Sequence, residues 1–139
     1  MRIMAVDYGD ARTGIAVSDP TGLIPGRAWT ITGYVPEKVA RQVADAAKEA
    51  GAEKIVLGYP KNMNDTAGPR AEKSAAFAEM LRELTGLEVV LWDERRTTVD
   101  AHRILAANGR REKDRKKNID AVAATLILEG YLGLMNGGM

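Results

Sequence analysis

Residues 2–8, Arg-Ile-Met-Ala-Val-Asp-Tyr, are apolar almost throughout and far too short to be a helix of ordinary length. A run of this kind reads as a β-strand buried on both faces, the pattern of strands in the interior of a layered α/β sheet. Its last apolar stretch ends on Asp7. An unpaired carboxylate is costly to bury, so two readings stand for Asp7. It either serves a site at the strand end, or the strand emerges into solvent there and Asp7 opens the Gly9 turn.

The next segments are also short and strand-like. Gly9-Asp10-Ala11-Arg12 is a turn, Thr13 to Ser18 a second strand, Asp19-Pro20-Thr21-Gly22 another turn, and a third strand is expected within Leu23 to Thr32. Three strands joined by short turns form an antiparallel meander. The period then changes. Pro36 suits a helix start, Val39, Val43, Ala46, Ala47 and Ala50 share one face, and Gly51 suits the stop. Lys54 to Gly58 predicts a fourth strand. Pro69 to Leu84 predicts a second helix with Phe77, Leu81 and Leu84 inward and Gly86 as its stop. Glu88 to Trp92 predicts a fifth strand, and Thr97 to Asn108 a third helix, with Thr97 and Asp100 as a capping box closed by Gly109. Asn118 is expected to cap a last helix running to about Leu132. There is no internal repeat and no interdomain linker, and 139 residues suit a single domain over 1–139.

The chain has no cysteine, which excludes disulfides, zinc fingers and cysteine nucleophiles. A metal site here is built from oxygen ligands with at most the one imidazole of His102, which favours magnesium or manganese over zinc. No apolar run approaches a membrane span, and the N-terminus lacks the long apolar stretch and cleavage site of a signal peptide. A cytosolic location is therefore expected, with no membrane partner.

The net charge of +1 announces no polyanion by itself. Its distribution says more, because Arg103 to Lys117 holds seven basic residues against two acids. Such a run is either a solvated loop or a strip that tracks phosphates. Two further acids stand at places where sites form. Glu94 follows the fifth strand, where open sheets with parallel strands bind ligands, or it pairs with Arg95 or Arg96. Asp120 lies in the first turn of the last helix, where the dipole favours an aspartate, but its neighbours are almost all apolar or small. Phosphoryl chemistry gives a reason for acids to gather, since two divalent ions about 4 Å apart can activate water and stabilise the leaving oxygen.

Four stretches together resemble the YqgF (RuvX) family: Asp7-Tyr8-Gly9-Asp10-Ala11-Arg12-Thr13-Gly14-Ile15-Ala16-Val17-Ser18-Asp19, Leu57-Gly58-Tyr59-Pro60, Trp92-Asp93-Glu94-Arg95-Arg96-Thr97-Thr98 and Asp120-Ala121-Val122-Ala123-Ala124. The resemblance covers essentially the whole chain. It implies an α/β, RNase H-like fold with a five-stranded mixed sheet in the order 3-2-1-4-5, strand 2 antiparallel, related to the resolvase RuvC. Members are described as Holliday junction resolvase-like proteins and as nucleases that mature pre-16S ribosomal RNA. The family's acidic positions fall on Asp7, Glu94 and Asp120, which the resemblance makes both catalytic and metal-binding, with Mg2+ or Mn2+. Many RNase H-like nucleases carry an acid on the fourth strand or the helix after it. Here that strand ends Leu57-Gly58-Tyr59-Pro60, so Glu94 must substitute.

The expected partner is nucleic acid, an rRNA precursor or branched DNA, handled by a monomer or a homodimer. Arg12 either holds a phosphate with its planar fork or pairs with Asp10 or Asp19. Arg95 either neutralises charge near the scissile phosphate or locks Glu94. Arg110, Arg111, Lys116 and Lys117 are expected in a mobile basic arm beside Asp120 that closes on the nucleic-acid backbone. Gly9, Gly14, Gly58, Asn62, Asn64 and Gly68 suit either a phosphate cradle or plain turns. Thr97 and Thr98 read as helix caps, His102 has no assigned role, and Trp29 and Trp92 read as core. Two other classes remain open: an ATP-binding domain of the actin and sugar-kinase type, against which the chain's length argues, and a non-catalytic RNA-binding ribosome-assembly factor.

Overall fold

The computed structural model describes residues 1–59, 68–93 and 112–136, with the helical backbone alone described over 112–120. The third helix expected at Thr97 to Asn108, its capping box and His102 lie outside the described residues, as do Glu94 and Arg95. The elements are β1 (Ile3–Asp7), β2 (Arg12–Ser18), β3 (Pro25–Thr32), α1 (Pro36–Ala50), β4 (Lys54–Tyr59), α2 (Pro69–Thr85), β5 (Glu88–Asp93) and α3 (Glu112–Met135).

The five strands form one sheet in the order β3-β2-β1-β4-β5. The meander is antiparallel, with Asp7 opposite Gly14 and Ile15 opposite Trp29. β4 then runs parallel to β1, and β5 parallel to β4, with Leu57 beside both Val6 and Leu91. The central position of β1 explains its unbroken apolar run. Met4 and Val6 face one cluster with α1 and α2, including Val39, Val43, Phe77 and Leu81. Ile3 and Ala5 face a second cluster with Ala124, Ile127, Leu128 and Tyr131 of α3. The sheet is thus sandwiched, and each fully buried Leu, Ile or Phe in these layers stabilises it by roughly 1.5–3 kcal/mol.

Helix boundaries follow the punctuation. Pro36 and Pro69 occupy first-turn positions of α1 and α2, where their missing N–H costs nothing. Gly51 and Gly86 close the helices at φ of 73° and 71°, a left-handed conformation that a side chain would strain. The Gly51 N–H donates to the Lys48 carbonyl at 3.2 Å. Of the residues expected inside α2, Phe77 and Leu81 are fully buried but Leu84 is 41% exposed. The inner stripe runs instead through Ala71, Ser74, Phe77, Ala78 and Leu81, and Leu84 lies beyond it in the last turn.

The last helix departs most from expectation. It starts at Glu112, not at Asn118, so Asn118 is inside the helix and not at its N-terminal boundary. Glu, Lys and Arg are good helix formers, Glu112 stands four residues before Lys116, and no glycine or proline interrupts 112–118. An interior asparagine costs only a fraction of a kcal/mol. The positions of Lys116 and Lys117 are therefore helical and run straight into Asp120, which corrects the expectation of a mobile basic loop there. Arg110 and Arg111 lie outside the described residues.

Candidate nucleic-acid-processing site

Asp7 is the last residue of the central strand and is half-buried. Strand alternation puts position 7 on the face of Ile3 and Ala5, the face that α3 crosses. Tyr8, the next residue, packs on the other face, in the cluster with Phe77. Because β1, β4 and β5 are parallel, their carboxyl ends lie side by side, with Tyr59 next to Asp93 at the ends of β4 and β5. β5 lies two strands from β1, roughly 10 Å at the usual strand spacing. Glu94 follows Asp93 directly in sequence. Across the face, α3 packs on β1, β2, β3 and β4, and position 120 is one helical turn before the buried Ala124.

Two anchors fix the layers that carry these positions. Lys54 Nζ donates to the Tyr131 hydroxyl at 2.9 Å and pairs with Glu88 at 3.4 Å, joining α3 to β4 and β5. Tyr131 also meets Trp92 edge-to-face with ring centroids 6.0 Å apart. On the opposite side, Arg82 Nη2 donates to the Val89 carbonyl at 2.7 Å and clips the end of α2 to β5. Trp92 is core, as expected. Trp29 is only partly buried against the first cluster and carries the Arg27 guanidinium 4.9 Å above its ring.

The turn after Asp7 is tight. A Cβ at Gly9 would stand 2.4 Å from the Arg12 carbonyl oxygen, so this position needs the close backbone approach of a glycine. Arg12 is exposed at the start of β2. The two acids offered as its partners each make further contacts. Asp10 pairs with Lys73 at 3.4 Å. The Asp19 carboxylate accepts the Thr21 hydroxyl and the amides of Leu23 at 2.9 Å and Ile24 at 3.1 Å. These hydrogen bonds, that of the Thr21 hydroxyl foremost, hold Asp19 well below the usual carboxylate range.

Of the three expected carboxylates, Asp7 alone is a described side chain, and among the described residues no three acids or histidines gather into a metal-binding group. The donor chemistry present fits a hard divalent cation, since the site offers carboxylate oxygen and the chain has no thiol. Gly58 and Tyr59 end β4, and Gly68 precedes α2. The remaining cradle candidates Asn62 and Asn64 lie outside the described residues.

Sequence reasoning missed the cluster on the other side of the Gly9 turn. Tyr8 stacks on Phe77 with centroids 4.1 Å apart and an interplanar angle of 12°. Burial first, then the nearby Asp10 and Glu37 carboxylates, push the Tyr8 phenol above its ordinary value, against an opposing pull from Arg70. Arg70 Nη2 lies 3.8 Å from where a Gly9 Cβ would be. Two cations near the start of a helix run against its dipole, and Arg70 and Lys73 could have been singled out on that ground.

A family profile described as RuvX, Holliday junction resolvase, matches residues 1–133. The chain is 42% identical over 139 residues to a protein of Agathobacter rectalis provisionally named pre-16S rRNA nuclease, covering 98% of this chain and 97% of that one. It is 43% identical over 144 residues to a Listeria monocytogenes serotype 4b protein of the same name, covering 98% and 100%. Among solved structures it is similar to the fowlpox virus resolvase in complex with Holliday junction DNA, with a TM-score of 0.66, 12% identity and coverage of 97% and 99%. It is also similar to Thermus thermophilus RuvC in complex with a Holliday junction substrate, with a TM-score of 0.62, 11% identity and coverage of 99% and 97%. At these identities the likeness concerns the fold, which is RNase H-like.

Proposed function

The chain belongs to the RuvX family, and on that premise we propose that it is a metal-dependent endonuclease whose substrate is the precursor of 16S ribosomal RNA. The observation that carries this reading is the position of Asp7. It stands at the carboxyl end of the central strand, on the face crossed by the helix that bears Asp120, two strands from the one that Glu94 follows. Three acids from β1, the end of β5 and α3 would hold one or two divalent cations, Mg2+ or Mn2+. The bound ions supply an activated water and charge stabilisation at the scissile phosphate. Asp7, Glu94 and Asp120 bind and orient them, and a half-buried setting for Asp7 limits its freedom to swing away. Arg12 and Arg95 flank the acids in sequence and are suited to bind phosphate oxygens through their planar forks. Lys116 and Lys117, on the helix that leads to Asp120, and Arg110 and Arg111 before it would track the nucleic-acid backbone. Cytoplasmic location belongs to the same proposal.

A second reading, cleavage of branched DNA, is favoured by the family description and by likeness to junction-bound resolvases. It requires a homodimer for paired cuts, whereas RNA trimming works with a monomer. The test is cleavage of pre-16S RNA fragments and four-way DNA junctions with magnesium or manganese. Wild type is compared with Asp7→Asn, Glu94→Gln and Asp120→Asn. Each isostere is expected to abolish cleavage while leaving thermal unfolding unchanged, and chelation is expected to abolish it in wild type. Full activity in all three variants would remove the proposed site, and the preferred substrate separates the two readings.

A further inference from the structure

A cavity of about 380 Å3 opens on the α1–α2 side of the sheet, just past the end of β1. That volume lies within the range of small-ligand sites. Its floor is Phe77 and Met80, one wall is Tyr8, and Tyr34 and the Asp10–Lys73 pair stand at its rim. Tyr34 is 78% exposed, so its ring is available for stacking and serves no core. The Lys73–Asp10 pair is also exposed at 3.4 Å. Exposed pairs of this kind contribute little to stability, so Lys73 can exchange its partner for a phosphate at little cost. Arg70 lies beside Gly9, close to the same rim.

We propose that this cavity takes one unpaired nucleobase of the nucleic acid engaged at Asp7, stacked on Tyr34, with Lys73 and Arg70 on the adjoining phosphate. The proposal rests on the nuclease reading above. Its chemistry is the combination of an exposed aromatic ring, an apolar floor and cations at the mouth, which suits a base and its phosphate better than either a purely apolar or a purely charged ligand. Its geometry is the adjacency of Asp7 and Tyr8. Consecutive Cα atoms lie 3.8 Å apart and consecutive strand side chains leave on opposite faces. A strand crossing the carboxyl edge of the sheet therefore presents a phosphodiester to Asp7 and a neighbouring base to the cavity. Asp10, released by Lys73, accepts a hydrogen bond from an exocyclic amine. The site would favour substrates with a single-stranded segment next to the cut.

The test measures binding by fluorescence anisotropy in EDTA, so that it does not depend on cleavage. The probes are a labelled RNA hairpin with a short single-stranded 3′ tail and the same hairpin with an abasic tail. Wild type is expected to bind the first more tightly. Tyr34→Ala is expected to weaken that binding about tenfold and leave the abasic hairpin unaffected. Tyr34→Phe should bind as wild type does. Ala76→Trp, which fills the cavity from an exposed helix position, should reproduce the loss. Equal affinity of wild type for both hairpins, or no effect of Tyr34→Ala, or the same loss on both probes, overturns the proposal. Cleavage of the tailed hairpin with magnesium is measured in parallel. Active wild type with an unaffected Tyr34→Ala removes the cavity and spares the nuclease, whereas inactive wild type with base-dependent binding removes the nuclease and spares the cavity.

Discussion

Gly9→Ala is the substitution whose consequence is most directly fixed by geometry. The added Cβ would lie 2.4 Å from the Arg12 carbonyl oxygen, and real Cβ contacts essentially never fall below 3.0 Å. The obstructing atom is backbone, so no side chain can rotate away. The two ends of the turn between Asp7 and β2 must therefore separate by at least the difference, about 0.6 Å. Overpacking of this kind costs about 1–3 kcal/mol, and at ~4 °C per kcal/mol for a domain of this size the melting temperature should fall by roughly 4–12 °C. The effect on cleavage follows from the same displacement. A misplacement of about 1 Å can cost on the order of 100-fold in rate, so a shift of about half that beside Asp7 should lower kcat by about tenfold. KM should change less, because the turn moves the acid more than the binding surface. Thermal melting by circular dichroism and single-turnover cleavage at saturating metal measure the two effects. Gly133→Ala is the matched control, since a Cβ there meets nothing within 4 Å. If Gly9→Ala melted and cleaved as wild type does, the close approach would not constrain the site and the argument would fail.

Gly133 lies in α3 and is not at positive φ, so Gly133→Ala should stabilise the protein by about 0.5–1 kcal/mol in urea titrations. Phe77 is fully buried and stacked on Tyr8, so Phe77→Ala should cost roughly 3–5 kcal/mol by the same measurement. Lys54 is held above its ordinary value by its hydrogen bond to the Tyr131 hydroxyl and by Glu88. A raised lysine contributes stability that is fully present below the unfolded value, about 10.4, and is lost as pH rises through the higher folded one. Lys54→Met should therefore cost about 1 kcal/mol near neutral pH, and its deficit should shrink in alkaline denaturation series above that range. Replacing Arg110, Arg111, Lys116 and Lys117 together by alanine should weaken RNA binding and reduce the slope of log K against log salt by roughly 0.7–0.9 for each phosphate no longer neutralised. An unchanged slope would remove these residues from the interface.

The sequence was most legible where a local rule acts alone. Pro36 and Pro69 opened helices, Gly51 and Gly86 closed them, and the five strands fell within a residue or two of expectation. The sheet order 3-2-1-4-5 came with the family resemblance and was borne out. The start of α3 was misread because Asn118 is a good cap, while the helix-forming run Glu112 to Lys117 before it continues the helix through that position. Leu84 was misassigned because helical spacing tells which residues share a face but not which of them a neighbouring layer covers.

For the candidate site, the residues themselves determined that Asp7 ends a strand apolar on both faces, and that any metal held here meets oxygen donors. Period-two alternation determined that Asp7 and Tyr8 leave that strand on opposite faces. Only the tertiary structure decided what each face meets: α3 on the side of Asp7, and Phe77, Arg70 and Lys73 around the chain that follows. The physical reason is that alternation and helical period are properties of one segment, set by local backbone geometry. The partner of a face is chosen by packing between segments more than sixty residues apart, and no spacing within either segment records it.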